Sequence, residues 1–311
     1  MDPKSLVKGV AAEATSLTKG AVSEAKRLVG RAAKLDYRTE RFNRVRVLRR
    51  ATRRDPGAWV VYQMGKVGST TVSDSLEALA DRPHVYHAHF LTSEGIGWAE
   101  DQYRPNYPRT RALPGHVIDS IVLRERLDAG ATLGWRVVTL VRDPVARNLS
   151  SFFQTMYLDR PDVDVTDTSD AMVEGLHRRF LTDFDHEFPL RWLDVELGSA
   201  LGLDAYAATD DGSGGSFVLR PRGARPGLLV LKLERLRECG SDALARFLDR
   251  PEVPLLDANT GSEKDYGELY GRFADTVELP AEYLDRMYGS RLVTHFYDPD
   301  EIEAMRARWT R

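Results

Sequence analysis

Residues 58–76 read AWVVYQMGKVGSTTVSDSL, and this stretch decides the fold. The run Ala58–Met64 is almost wholly apolar and β-branched or aromatic, which is the composition of a buried strand. It breaks into Gly65-Lys66-Val67-Gly68-Ser69-Thr70-Thr71, after which the spacing predicts a helix over Thr70–Ala80. Glycines let the backbone turn tightly and point its N–H groups inward, while a helix N-terminus adds partial positive charge. Lys66 adds a full one. Strand, glycine-rich turn with lysine, and helix in that order make a phosphate cradle.

Working outward, short apolar runs alternate with amphipathic segments. His84–Phe90, Trp135–Val141 and Leu228–Leu233 read as further strands, and Pro114–Ala129, Val145–Tyr157 and Arg235–Leu248 as helices. That alternation predicts an α/β domain: a P-loop-like parallel sheet with helices on both faces. Asp162–Asp170 and the DDGSGGS run at Asp210–Ser216 read as loops. No composition break follows residue 55, so residues 55–311 are read as one catalytic domain. The loop is not the nucleoside-triphosphatase form, G-x-x-x-x-G-K-[ST], because here the lysine precedes the second glycine.

The strand over Trp135–Val141 ends in VRDPVARNLSSFF. Arg142 leaves the strand, Pro144 suits a first helical turn, and Ser150 follows two turns later. A guanidinium and a hydroxyl so placed could grip a second phosphate beside the first. The plainer reading is Asp143 capping a helix and Arg147 in solvent. The stretch YHAHFLTSEG supplies His87 and His89, which alternation along a strand puts on one face. Beyond it, Trp98, Tyr103 and Tyr107 interleave with Arg104, Arg109 and Arg111, a pattern suited to stacking on sugar rings and pairing with anions. The two histidines come with no third ligand, so no metal is expected.

The chain has 311 residues, 42% of them apolar, with 44 Lys+Arg against 47 Asp+Glu. That is too apolar for a disordered chain and too polar for a polytopic membrane protein. One cysteine, Cys239, excludes an internal disulfide framework and fits a reducing compartment. The charge is uneven: residues 1–54 carry +10 and the remainder −13. An acidic body disfavours nucleic acid as a partner, and any anion it holds needs a local site. With no long apolar run and no signal-like stretch, a cytoplasmic location is expected.

Residues 1–54 form a basic arm with an eleven-residue repeat. Leu6, Leu17 and Leu28 recur with Lys8/Lys19, Gly9/Gly20 and Glu13/Glu24. Eleven residues make three turns at about 3.67 per turn, so the repeat keeps one helical face. An apolar stripe flanked by lysines suits an anionic membrane surface, here the inner face of the cell membrane, or a partner helix. The second half, Arg38–Arg54, reads as a solvated basic arm or a further electrostatic contact.

Taken together, YQMGKVGSTT and LVRDPVARNLSSFF resemble the two cofactor-binding signatures of the sulfotransferases, which use 3′-phosphoadenosine 5′-phosphosulfate (PAPS). The nearest likeness is to bacterial proteins labelled as capsular polysaccharide synthesis proteins. The resemblance covers most of residues 55–311 and none of the basic arm. It implies the sulfotransferase fold, and a sulfuryl transfer from PAPS to a hydroxyl of a carbohydrate or glycolipid. It places Gly65, Lys66, Val67, Gly68, Ser69, Thr70 and Thr71 on the 5′-phosphosulfate, with Arg142 and Ser150 on the 3′-phosphate. Lys66 would stabilise the leaving phosphate. His89 or His87 would accept the proton, with Glu94 as the alternative. Trp98, Tyr103, Arg104 and Arg109 would face the acceptor, and Lys264 would approach the 3′-phosphate. A nucleotide kinase or hydrolase, and a membrane-recruited nucleotide-binding module without turnover, are the competing readings.

Overall fold

The computed structural model describes residues 37–53, 57–103, 113–132, 134–160, 162–220, 223, 225–256 and 265–310. In chain order the first half is α1 (residues 37–51), β1 (Ala58–Tyr62), α2 (Ser69–Glu77), β2 (Val85–Ala88), α3 (Ser93–Gln102), α4 (Gly115–Asp128), β3 (Trp135–Val141) and α5 (Pro144–Asp159). The second half is α6 (Asp170–Asp183), α7 (Phe188–Trp192), a π turn (Leu193–Gly198), α8 (Ser199–Leu201), β4 (Thr209–Asp210), β5 (Ser216–Leu219), β6 (Gly227–Lys232), α9 (Leu236–Leu248), α10 (Gly267–Thr276), α11 (Ala281–Tyr288), α12 (Arg291–Phe296) and α13 (Pro299–Ala307).

One six-stranded sheet runs β2-β1-β3-β6-β5-β4 and is flanked by helices. Every residue of β1 is buried, and β3 and β6 are nearly so. Strands covered on both faces need continuous apolar sequence, which is why these runs were legible. The four strands found in the sequence pair in parallel, with Val61 opposite His87 and Val138.

The sheet is not wholly parallel, however. β5 pairs antiparallel with β6, and β4 with β5. The expected loop Asp210–Ser216 is the turn of this edge hairpin, with Asp210 and Ser216 themselves in its strands. A two-residue exposed strand and a four-residue partner carry too little pattern to be seen.

The chain goes from β1 to β2 on one side, then crosses to β3 on the other. The junction between β1 and β3 is therefore a topological switch point, where loops leaving the strands' carboxyl ends diverge and ligands bind. The predicted phosphate loop and Arg142 leave the sheet at this junction.

Residues 37–51 of the basic arm are helical and packed. Val45 and Thr52 are buried, Arg41 pairs with Glu100 of α3, Arg44 donates to the Leu113 carbonyl, and Arg49 pairs bidentately with Glu125 of α4. This part is not a solvated arm. The eleven-residue repeat falls in residues 1–36, outside the described residues. No helix among the described residues is long and apolar enough to cross a membrane.

Candidate functional site

The loop after β1 is held in an unusual conformation. Gly65, Lys66 and Gly68 all have positive φ, at 78°, 65° and 79°. Val67 between Lys66 and Gly68 does not have positive φ, and backbone that alternates in hand this way forms the concave N–H surface of an anion-binding nest. Glycine takes positive φ freely, but lysine does so at a cost of about 1–2 kcal/mol. A Cβ on Gly68 would also collide with Leu233. The loop feeds α2, which starts without a side-chain cap. A helix N-terminus carries partial positive charge and so suits an anion.

Two arginines hold the loop from below. Arg142 donates from Nη1 to the Lys66 carbonyl at 2.9 Å. Arg147 donates from Nη2 to the Met64 carbonyl at 3.1 Å and from Nε to that of Gly65 at 3.4 Å. The Arg147 guanidinium also lies over the Phe188 ring, 4.7 Å from its centroid, and bonds Asn148 Oδ1 at 3.2 Å. It is buried, so the expectation of a solvated Arg147 is corrected. Burial first, and the Arg142 charge second, lower it to about 9, so it remains a cation at neutral pH. No carboxylate contacts it among the described residues; its charge supports the loop instead.

Asp143 caps α5 as expected, accepting from the Val145 and Ala146 N–H groups. Its carboxylate also accepts from Tyr288 Oη at 3.1 Å and Trp309 Nε1 at 3.2 Å. Ser150 lies part-exposed in the second turn of α5.

His87 and His89 sit together at the end of β2, ring centroids 5.0 Å apart. His87 Nε2 is 3.0 Å from Ser69 Oγ, and its main-chain N–H donates to Asp119 of α4 at 2.9 Å. A third imidazole completes the group: His116, from the first turn of α4, lies 4.4 Å from His89 and 6.4 Å from His87. The three residues are part-exposed, yet the protein packed around them disfavours charge. Burial lowers His87 to about 4, and burial with the His87 charge lowers His116 to about 4. Burial, then His116 and His87, drive His89 well below its usual value. All three are neutral at pH 7. Asp119, by contrast, is pushed up to about 7 by burial.

Gln63 is the centre of this group. It is fully buried, its Oε1 accepts the Gly65 N–H, and its Nε2 lies 2.8 Å from Ser69 Oγ, 2.8 Å from His89 Nδ1 and 3.2 Å from His87 Nε2. The Ser69 hydroxyl is thus engaged with Gln63 and His87. Behind the pair, Trp192 donates to the His89 carbonyl at 3.1 Å. Glu196 of the π turn accepts from Tyr62 Oη, the Leu91 and Thr92 N–H groups and the Thr92 hydroxyl.

The structure therefore brings the loop, Arg142, His87 and His89 together. Tyr103 reaches the same group, 5.8 Å from His116. Glu94 is exposed in the first turn of α3, and Trp98 is exposed with its ring against Phe90. Arg104, Tyr107, Arg109, Arg111 and Lys264 lie outside the described residues. Sequence reasoning missed Gln63, His116, Asp119, Arg147 and Glu196. Gln63 had a signal, as the one amide in an apolar strand beside the loop, and so did Arg147, as a charge within an apolar helical turn. Among the described residues, no group of His, Cys, Asp or Glu is placed to hold a metal ion.

A family model described as "Putative capsular polysaccharide synthesis protein" matches residues 162–298, rather less than half of the chain. The match runs from the segment after α5 to the start of α13, and so takes in β4–β6 but neither the loop, Arg142 nor the histidines. No curated protein and no solved structure matched.

Proposed function

We propose that the protein is a sulfotransferase, moving a sulfuryl group from PAPS to a hydroxyl of a carbohydrate or glycolipid in envelope polysaccharide synthesis. The observation that carries this reading is the left-handed Gly65–Gly68 loop, opening onto an uncapped helix at the β1/β3 switch point. The fit is chemical: converging N–H groups, Lys66, and two arginines beneath suit a polyanion in a body whose net charge is negative. The similarity of residues 162–298 to a family named for capsular polysaccharide synthesis supports a glycan acceptor.

The co-substrate supplies a sulfuryl group on a phosphate leaving group. The loop N–H groups and the Lys66 ammonium stabilise charge where it develops on that leaving group. Arg142 and Ser150 hold the second phosphate. The acceptor hydroxyl gives up its proton within the cluster of neutral imidazoles His87, His89 and His116, where a bare ring nitrogen can take it. Tyr103, beside His116, lines the acceptor side.

A kinase or hydrolase fits less well. Such enzymes hold Mg²⁺ with an acid at a strand end, and the acid after β3 is Asp143. Its oxygens are already taken by two N–H groups, a tyrosine and a tryptophan. The deciding experiment incubates the protein with sulfur-labelled PAPS and cell glycans or glycolipids and reads products by mass spectrometry. Transfer that disappears in Lys66→Ala supports the reading. Binding of PAPS without transfer to any acceptor would instead favour a nucleotide-binding module.

The basic arm is read as a contact with the anionic inner face of the cell membrane, which places the protein in the cytoplasm as a peripheral enzyme. Arg38, Arg46 and Arg50 of α1 and Arg53 just beyond it are exposed, as are Phe42 and Val47 at 62% and 63%. Arginines together with two bare apolar side chains suit a lipid surface. Flotation with phosphatidylglycerol vesicles tests it. Replacing these four arginines by glutamine should abolish co-flotation, and unchanged flotation would reject the contact.

A further inference from the structure

The hydrogen bonds around Gln63 form a closed system whose protons can be counted. The Gly65 N–H can only donate, so the Gln63 atom it meets is the carbonyl Oε1, and Nε2 carries two hydrogens. Those two go to the nearest partners, Ser69 Oγ and His89 Nδ1, both at 2.8 Å. Ser69, having accepted, passes its own proton to His87 Nε2 at 3.0 Å.

The competing arrangement has His89 Nδ1–H donating to the Gln63 main-chain oxygen at 3.1 Å. It would set two N–H donors against each other at 2.8 Å, which is repulsive. The chosen assignment leaves the bare His89 Nδ1 3.1 Å from the Gln63 main-chain oxygen, a longer and weaker conflict than two N–H groups meeting at 2.8 Å.

We propose that Gln63 is a positioning residue that fixes the tautomers of the histidine pair, holding His89 with its proton on Nε2 as a donor toward the phosphate loop. His89 Nε2 lies 4.0 Å from where a Cβ of Gly65 would stand, so the bare ring edge and its proton face the loop. The inference rests on the sulfotransferase reading for its ligand, a phosphate-bearing nucleotide, but not for the tautomer itself.

Its consequence is a division of labour. His89 donates a hydrogen bond to the anion in the loop, and His87 is occupied by Ser69. His116 is then the imidazole with no hydrogen bond to either nitrogen among the described residues, and the one free to take the acceptor's proton. Gln63 also couples the two halves of the site. The amide that orients His89 is the same one that pins Gly65, so the loop conformation and the histidine proton are set together.

The test is nitrogen-15 NMR of histidine-labelled full-length protein at pH 7, with His89 assigned by its loss in His89→Asn. The native protein should show His89 protonated on Nε2 and bare on Nδ1. In Gln63→Met the amide is gone but the main-chain oxygen stays, so the proton should move to Nδ1. An Nδ1–H form in the native protein, or an unmoved proton in a folded Gln63→Met, overturns the assignment. On adding adenosine 3′,5′-bisphosphate, the Nε2–H resonance should shift downfield, and Gln63→Met should bind roughly tenfold more weakly. An unshifted resonance with bound ligand overturns the donor role. Absence of binding by the native protein would sink the phosphate-loop reading and the donor role with it. A wrong tautomer with normal binding sinks the Gln63 assignment alone.

Discussion

The Arg142 guanidinium bonds the main-chain oxygen of Lys66, the residue that the loop forces into a left-handed conformation. The arginine expected to hold one phosphate thus also stabilises the loop expected to hold another. Arg142→Ala should therefore weaken adenosine 3′,5′-bisphosphate binding by more than one lost contact, by roughly 100-fold or more. Arg142→Lys should recover only part of this, since a point charge cannot both bond the carbonyl and fork onto phosphate. Calorimetric titration of both variants checks it.

Lys66 itself separates charge from conformation. Lys66→Gly relieves the positive φ but loosens the unfolded chain, so stability should change by no more than about 1 kcal/mol. Sulfuryl transfer should still collapse, because the ammonium over the leaving group is gone. Normal turnover in Lys66→Gly, measured beside an unchanged thermal midpoint, would remove Lys66 from the chemistry.

Arg147 makes a different prediction, since its burial is matched only by carbonyl and amide oxygens. Arg147→Met keeps much of the volume over Phe188 but frees two loop carbonyls, and should cost about 2–3 kcal/mol. A buried cation with no carboxylate in contact among the described residues, beside an anion site, also implies that anions stabilise the fold. Inorganic phosphate should raise the native melting temperature, and raise that of Arg147→Met much less. Equal shifts in the two proteins would show that the charge does not act through the loop.

How much of this was legible follows from how local each signal is. The β1–loop–α2 unit is contiguous, so its apolar run and glycines announce themselves within residues 58–76. The His87/His89 pair is visible for the same reason, two positions apart on one strand. His116 is not, because it reaches the pair only through the packing of α4 on β2, and a lone histidine at a helix start carries no message. The basic segment was misleading in its own way. Charge density suggests solvent, but Arg41, Arg44 and Arg49 are spent on Glu100, the Leu113 carbonyl and Glu125, partners 59 to 76 residues away. Glu196 was hidden because an acid in a helical segment reads as surface until four donors are found around it.

The histidine cluster fixes the sign of an acid response. His87 and His116, at about 4 when folded, titrate near 6.5 when unfolded. Between those values the unfolded chain binds more protons, so stability from each is full above pH 6.5 and is lost as pH falls toward 4. Asp119, raised to about 7, opposes them: its contribution is greatest at low pH and is lost as pH rises from 3.8 to 7. Urea midpoints of His116→Phe and the native protein should therefore converge on acidification from pH 6.5 to 4.5, whereas Asp119→Asn should steepen the native fall. Parallel curves would mean that His116 is not held neutral by the fold.

Glu196 yields the largest stability prediction. Its carboxylate receives the Tyr62 hydroxyl at 2.7 Å, the Leu91 and Thr92 N–H groups at 2.8 and 3.0 Å, and the Thr92 hydroxyl. It thereby fixes the chain just past His89 and the entry to α3, whose Gly95 leaves no room for a Cβ beside the carboxylate. Glu196→Ala strands these donors in a buried space, and should cost about 3–5 kcal/mol. Glu196→Gln keeps one acceptor oxygen but turns a second donor group against the incoming N–H and O–H groups, so it should recover less than half of that. Hydrogen exchange locates the effect: in Glu196→Gln, the Leu91 and Thr92 amides should lose protection before those of β1 and β3. Uniform loss across the sheet would show that Glu196 supports the core as a whole rather than the segment carrying His89.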